Sequence, residues 1–516
     1  MKNILTVIFG FLACIVPYVA VADGSGDITL DYTYLDEEGN QAVNQGTFNR
    51  YEGIGLSLEN FRYGFASGVN VSADLKRITL NNRHLNFGVR KPGLFDIRLF
   101  NNQYRRAYDF GGSSVTRRYR TGASMSVYPH RYIKLYGGGE YTGKSGKMVD
   151  LFDPAGGYRS YDIDYGRLYY KAGMVFNYEG RMFQAEYSGD DYEDKEHLDR
   201  DQTRYRIRLN AATPVPRYEW IVLSGGFLHF DTRYDTNDFA YSANRVWSGI
   251  RIEPRGRFAL NYNFVFDRAS SDSDLVATDN IAHAVYVQYM RPGFLNLTVG
   301  YQNDINDDID DEVNSDTYYL SGWYKPSARL EFRGEYGNRA EKVVEGYRLT
   351  GNEDRQRFKF SGKYRSTEYG DVKITYENKS RKNESLSSEV CFDRISLDGN
   401  LIVSSLGNLN CGYSYSIGEY ENGDGTFEYN SHVIYGDIFL NEYRRFKPGF
   451  GFVYYRSKRD LDTESFNLNF KAVYRFMKDY RLHVEYNVHN FDDFLVDNQY
   501  YTANIVEISL TKNMTF

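Results

Sequence analysis

Apolar and polar residues alternate along most of the chain with a period of two. In the segment from Arg257 to Asp267, Arg257, Asn261 and Asn263 occupy one set of positions. The other set holds Phe258, Leu260, Tyr262, Phe264 and Phe266. Successive side chains of a strand point to opposite faces, so this pattern predicts a strand with one apolar and one polar face. Segments 465–475 and 481–487 follow the same pattern, although a soluble β-sandwich would also produce it.

Short turn signals recur at regular spacing between positions 61 and 478. Twelve such turns give a mean repeat of about 38 residues. Most contain proline, and the predicted turns are at Pro92, Pro129, Pro214 with Pro216, Pro254, Pro292, Pro326, Pro448, Asn60–Arg62, Glu179–Gly180, Tyr369–Gly370, Gly407 and Lys478–Asp479. Longer polar stretches lie between them, for example 101–115, 144–162 and 302–314. Tight turns at one end and long loops at the other are typical of an outer-membrane barrel.

The end of the chain supports the same interpretation. Apolar residues alternate there and the sequence stops on Phe516. This resembles the terminal strand signal of bacterial outer-membrane barrels, and that resemblance makes Phe516 the predicted assembly signal. Because bilayer lipid cannot hydrogen-bond backbone groups, a membrane-spanning sheet must close into a barrel.

The predicted fold is an all-β, antiparallel, up-and-down transmembrane barrel. Twelve turns and thirteen loops give 26 strands, within a range of 24 to 28, with both chain ends in the periplasm. Strand pattern begins near Asp27, which leaves no room for a plug domain. We therefore expect one barrel domain over residues 23–516, with short periplasmic turns and longer extracellular loops. A barrel of this size is roughly 50 Å across.

Residues 1–22 have the features of a signal peptide. Lys2 precedes an apolar run, and Ala20, Val21 and Ala22 form an A-x-A cleavage site. The chain of 516 residues contains 17% aromatic residues and has a net charge of −7, which argues against disorder and against nucleic-acid binding. Export and the barrel pattern together predict a location in the bacterial outer membrane.

The polar face of several predicted strands is strongly basic. We expect it to line the lumen, where it could contact an anionic guest or form ordinary solvated salt-bridge ladders. The candidate contacts are Arg118, Arg120, Arg204, Arg206, Arg208, Arg329, Arg333, Arg355, Arg357, Lys359, Lys363 and Arg365.

Motifs for chemistry are absent from the sequence. There is no C-x-x-C-H haem attachment motif, no H-E-x-x-H and no G-x-S-x-G. The acidic run after Asp304 lacks the glycine and glutamate of a calcium loop, because Ile309 and Ser315 occupy those positions. We predict no catalytic or metal site, no cofactor bound by this chain and no enzymatic activity. A bond between Cys391 and Cys411 would require the intervening turn to shift to Asp398–Leu401.

A plug-free barrel of about 26 strands with a signal peptide resembles the porin component of porin–cytochrome conduits, the MtrB/PioB type. The resemblance rests on topology alone. It implies a partner, a multihaem c-type cytochrome inside or beside the barrel, along which electrons cross the outer membrane during extracellular electron transfer. Haem would then be carried by that partner, and this chain would insulate and position it. The barrel assembly machinery and outer-membrane lipid are further expected partners.

Two other functions fit the same sequence. A diffusion or anion-selective porin would use the basic ladders for selectivity, with Lys144–Asp162 as an inward loop that narrows the lumen. A secretion or export barrel would also need a wide lumen.

Overall fold

The computed structural model describes residues 24–39, 50–107, 115–150, 159–235, 239–272, 277–309, 311–346, 352–403, 406–423, 425–495 and 500–515. The predicted signal peptide, residues 1–22, and the predicted assembly signal, Phe516, lie outside these ranges.

The described chain folds into 26 strands. The first thirteen are β1 Gly24–Gly39, β2 Gly53–Gly64, β3 Asn70–Lys76, β4 His84–Lys91, β5 Phe95–Ala107, β6 Val115–His130, β7 Ile133–Asp150, β8 Arg159–Tyr178, β9 Arg181–Asp194, β10 Gln202–Val215, β11 Tyr218–Tyr234, β12 Ala240–Ile252 and β13 Phe258–Ser271. The others are β14 Ala277–Arg291, β15 Leu295–Asp307, β16 Glu312–Tyr324, β17 Leu330–Glu345, β18 Glu353–Ser366, β19 Gly370–Asn383, β20 Ser388–Val403, β21 Gly407–Asn422, β22 Gly425–Leu440, β23 Phe446–Arg459, β24 Thr463–Met477, β25 Tyr480–Asp493 and β26 Tyr500–Thr515. Among the described residues, the only helical elements are two 3₁₀ turns, Leu198–Arg200 and Pro254–Gly256.

The sheet closes on itself because β1 pairs with both β2 and β26. The β1–β26 ladder is antiparallel and runs from Ser25 opposite Thr515 to Gly39 opposite Tyr501. All other strands pair antiparallel with their chain neighbours. The result is a closed barrel without a free sheet edge.

The two faces of the sheet differ as the alternation predicts. On β13, Leu260 is exposed on the outer face, and its ladder partner Val287 on β14 is 47% exposed. Residues opposite each other in an antiparallel ladder share a face, so the outer face can be followed around the barrel. It carries an exposed apolar belt, which suits contact with lipid, whereas the inner face is polar and charged.

Glycines on the outer face make room for tyrosine rings. A Cβ at Gly166 of β8 would collide with the phenol group of Tyr141 on β7, and Gly189 of β9 stands in the same relation to Tyr170 of β8. The ring covers the backbone that glycine would otherwise leave open, and this stabilises the register between strands.

The structure corrects the predicted contrast between short turns and long loops. Of the predicted loop 302–314, only residues 308–311 connect strands, because β15 extends to Asp307 and β16 starts at Glu312. Likewise, residues 144–150 belong to β7 and 159–162 to β8, and the residues between them lie outside the described chain. These polar residues lie on strands that continue above the apolar belt. Both faces of the strand meet water there, so neither face has to be apolar.

Two turn positions also differ from the prediction, whereas the predicted turn at Gly407 agrees with the structure. Asn60–Arg62 forms a β-bulge inside β2, where Asn60 has a φ of 53°, and the turn follows at residues 65–69. Pro448 lies within β23, after a connection at 441–445. Strand β20 ends at Val403 and β21 starts at Gly407, so Cys391 faces Glu419 rather than Cys411, and both cysteines are free.

Candidate functional site

Eleven of the twelve predicted basic residues lie on strand positions that face the lumen. Arg118 and Arg120 are on β6, and Arg204, Arg206 and Arg208 are on β10. Arg333 is on β17, and β18 carries Arg355, Arg357, Lys359, Lys363 and Arg365. Arg329 is an exposed residue of the connection before β17 and does not belong to the lumen ladder. The structure therefore separates the candidates into two walls, one on β6–β10 and one on β17–β18.

The second wall extends over β17–β20 and is built around three buried glutamates. The side chains of Glu331, Glu353 and Glu377 are only 5%, 2% and 3% exposed. Each contacts two or three cations, one of them two residues later on its own strand and the others on an adjacent strand or connection. Glu331 contacts Lys325, Arg333 and Arg365; Glu353 contacts Arg355 and Arg381; and Glu377 contacts Arg357, Lys379 and Arg394.

The cations of this wall stand above the carboxylates and reach into the lumen. The side chain of Arg333 is 64% exposed and that of Arg355 is 54% exposed, although each pairs with a buried glutamate. Eight cations surround three carboxylates, so the surface that faces the lumen is electropositive. An anionic surface placed in the lumen would meet guanidinium and ammonium groups first.

Glu353 shows how the wall holds a charge that is shielded from water. It lies at the outer end of β18, above the apolar belt. Burial alone would raise the pKa of Glu353, but hydrogen bonds from Arg355 and Arg381 outweigh it, and the pKa lies below its usual range. Arg381 donates to Glu353 over 2.8 Å. The glutamate is therefore ionised at neutral pH and fixes the two guanidinium groups.

The first wall has a different arrangement of charges. Arg120 pairs with Glu140 over 2.6 Å, and Arg204 donates to the Thr232 hydroxyl over 2.9 Å. Within the described residues, Arg206 and Arg208 pair with no carboxylate. These arginines line a cleft of about 650 Å³ between β8 and β13.

A third charged group was not found from the sequence. Arg50 and Arg77 both contact Glu507 of β26, and Arg50 also lies 3.9 Å from Glu485 of β25. All four side chains are less than a quarter exposed. This seam cluster, Arg50, Arg77, Glu485 and Glu507, brings the chain before β2 against the lumen side of the closing strands. The predicted inward segment was Lys144–Asp162, whose described residues instead form β7 and β8.

Among the described residues, no helix is long and apolar enough to cross a membrane. The described chain also contains no group of three or more histidine, cysteine, aspartate or glutamate residues placed to hold a metal ion.

No family model and no curated protein matches the chain. Among solved structures, the ferripyoverdine receptor of the Pseudomonas aeruginosa outer membrane is similar at 9% identity and a TM-score of 0.50, covering 96% of this chain and 72% of the receptor. The siderophore receptor PirA from Pseudomonas aeruginosa has 9% identity and a TM-score of 0.49, covering 82% of this chain and 81% of PirA. The alcaligin outer-membrane receptor FauA from Bordetella pertussis has 11% identity and a TM-score of 0.44, covering 95% and 76%.

The likeness to the ferripyoverdine receptor concerns the fold, a large closed barrel of the outer-membrane receptor kind. The predicted location in the bacterial outer membrane is confirmed. The predicted fold class, a plug-free barrel of the conduit type, is corrected: the described chain is a closed antiparallel barrel of 26 strands that aligns with 72% of the ferripyoverdine receptor chain.

Proposed function

We propose that this barrel holds a multihaem c-type cytochrome in its lumen, so that electrons cross the outer membrane along the haem chain of that partner. The barrel itself carries out no redox step. It excludes lipid and ions from the cytochrome and fixes its position across the membrane.

The observation that carries the proposal is the layered charge of the β17–β20 wall. Buried Glu331, Glu353 and Glu377 hold the cations in place, and the cations point away from the strands into the lumen. A fixed cationic surface of this kind complements carboxylates on a folded guest, including haem propionates at a haem edge. A lumen roughly 50 Å across at the backbone has room for such a domain.

The wall also contains cations that are available for a guest. Within the described chain, Lys359 of β18 and Lys373 of β19 take part in no ion pair, and both face the lumen. A guest carboxylate could pair with either lysine without breaking a contact inside the barrel. Such an ion pair contributes more binding free energy than an exposed surface pair when the interface excludes water.

A second candidate is uptake of an anionic solute, and the same cationic wall favours it. The ferripyoverdine receptor, which shares the fold, is bound to ferripyoverdine in its structure. In that case the wall would select anions that pass through a water-filled lumen, and the purified barrel would be colourless.

The test is purification of the tagged barrel from its native outer membranes in mild detergent, followed by an absorption spectrum and haem staining. We expect a haem protein in stoichiometric amount. Lys373→Glu should lower the haem recovered per barrel several-fold, because it places a carboxylate opposite the acidic guest. Lys382→Glu, on the outer face of the same strand, is the matched control and should leave recovery unchanged. A colourless barrel from wild-type membranes would contradict the proposal and favour solute uptake.

A further inference from the structure

The cleft beside the first wall combines an aromatic platform with unpaired cations. It has a volume of about 650 Å³ and is lined by residues of β8 to β13. Arg204, Arg206 and Arg208 come from β10, and Trp247 comes from β12. The volume is in the range of small-molecule sites, roughly 300–1,000 Å³.

Trp247 lies flat against the lumen wall. A Cβ at Gly226 of β11, its ladder partner, would collide with the indole ring, so only glycine lets the ring rest on the backbone. The half-buried ring lines the cleft. The guanidinium carbon of Arg208 lies over the ring, 5.9 Å from its centroid, so a cation and the indole border the same part of the cleft.

The carboxylates that could neutralise the arginine ladder are engaged by other residues. Glu186 lies directly opposite Arg208 in the β9–β10 ladder and lines the cleft, but it forms no ion pair with the ladder and accepts a hydrogen bond of 2.7 Å from the Tyr136 hydroxyl. Asp190 lies opposite Arg204, but it pairs with Arg167 of β8 over 3.0 Å.

The fourth arginine of the cleft, Arg245, is neutralised by a bidentate contact with Asp267, at 2.6 and 2.7 Å. Arg206 and Arg208 therefore line the cleft without a carboxylate partner in the described chain.

We propose that this cleft binds a small planar aromatic anion, with its ring on Trp247 and its carboxylate or sulfonate group on the guanidinium groups of Arg206 and Arg208. The guanidinium fork matches the geometry of such oxyanions, and the indole face stacks on flat rings. Packing of Trp247 on Gly226 explains the ring position alone, whereas a ligand site also explains why Arg206 and Arg208 have no ion-pair partner in the described chain. The site is independent of a cytochrome in the lumen.

The test uses the purified full-length barrel and the fluorescent probe 8-hydroxypyrene-1,3,6-trisulfonate, with binding measured by fluorescence anisotropy. The double variant Arg206→Gln with Arg208→Gln should weaken binding at least about tenfold, since it removes two charge-assisted contacts. Trp247→Leu should weaken binding by several-fold through loss of stacking.

Matched controls separate a specific site from general attraction to a cationic lumen. Lys359→Gln with Lys373→Gln removes the same charge from the other wall, and Trp323→Leu removes a second lumen-facing indole. Both should change the Kd less than about twofold. Heat-modifiable migration in SDS gels verifies that each variant is folded. Equal weakening by the cleft variants and the controls, or no binding to the wild-type barrel, would overturn the proposal.

Discussion

The guanidinium of Arg77 donates a hydrogen bond of 3.0 Å to the carboxylate of Glu507, which lies 430 residues later in the chain. Arg50 contacts the same carboxylate. A single acidic residue of the last strand therefore fixes two cations from the start of the chain, at the place where the barrel closes. This contact links barrel closure to the inner surface on which a guest would lie.

Glu507→Gln should destabilise the closed barrel. It leaves two guanidinium groups, 23% and 20% exposed, without their shared carboxylate, at an expected cost of about 1–3 kcal/mol in a wall that water still reaches. The temperature at which the folded band is lost in SDS gels measures the effect. Asp74→Asn, which removes a 41% exposed carboxylate 3.8 Å from Lys76, is the control and should change stability by less than about 1 kcal/mol. Equal effects would show that the seam cluster is not stabilising.

Glu353→Gln should destabilise the barrel at neutral pH but not in acid. The pKa of Glu353 is lower in the folded protein than its ordinary value of 4.5, so the folded state gains stability from the ionised carboxylate above that value. The gain is lost as the pH falls through the folded pKa. Thermal unfolding of wild type and variant should therefore differ at pH 7, by about 1–2 kcal/mol, and converge in acid below the folded pKa of Glu353. Glu335→Gln, at a 38% exposed carboxylate, should show little difference at either pH. A difference in stability between wild type and Glu353→Gln that grows as the pH falls would contradict the stabilising role of the ionised Glu353.

Gly166→Val should impair assembly because its side chain would occupy the space of the Tyr141 ring. We expect a loss of about 1–3 kcal/mol and a lower yield of folded barrel, measured as the folded fraction after refolding into detergent. Gly334→Val provides the matched control, since no atom outside its chain neighbours lies within 4 Å of a Cβ at that outer-face position. Addition of Tyr141→Ala to Gly166→Val should restore folding, and failure to do so would mean that the glycine is required for another reason.

The purified barrel, free of any guest, should conduct anions in preference to cations in planar bilayers. The chain as a whole has a net charge of −7, so a channel whose selectivity depended on net charge alone would prefer cations. The exposed cations of the β17–β20 wall should dominate instead. Reversal potentials under a salt gradient measure this, and Lys359→Glu with Lys373→Glu should reduce the preference. A wild-type channel that prefers cations would contradict the claim that the exposed cations of the β17–β20 wall dominate selectivity.

Period-two alternation was sufficient to predict strands such as β13, because one face contacts lipid and the other water. The loops were predicted less well. The polar residues 302–307 extend β15 above the apolar belt, where both faces meet water and no longer differ in hydropathy. The sequence at Asn60 predicts a turn because a bulge with φ of 53° favours the same residue type as a turn.

The candidate site was predictable only in part. Alternation placed Arg204, Arg206 and Arg208 on one face, but the partners of each cation depend on the register between strands. Each of the three buried glutamates pairs with a cation two residues later on its own strand, but its other cations lie elsewhere in the chain, as do Arg77 and Glu507. No local pattern therefore identifies the full set of partners. The free cysteines follow from the start of β21 at Gly407, which is the turn position that the sequence predicts.

The most direct measurement of the central claim is a cryo-EM map of the complex purified from native outer membranes in mild detergent. The account predicts density for a haem-containing protein inside the lumen, in contact with the β17–β20 wall near Lys359 and Lys373. A map with a water-filled lumen, from a sample without haem absorbance, would contradict it.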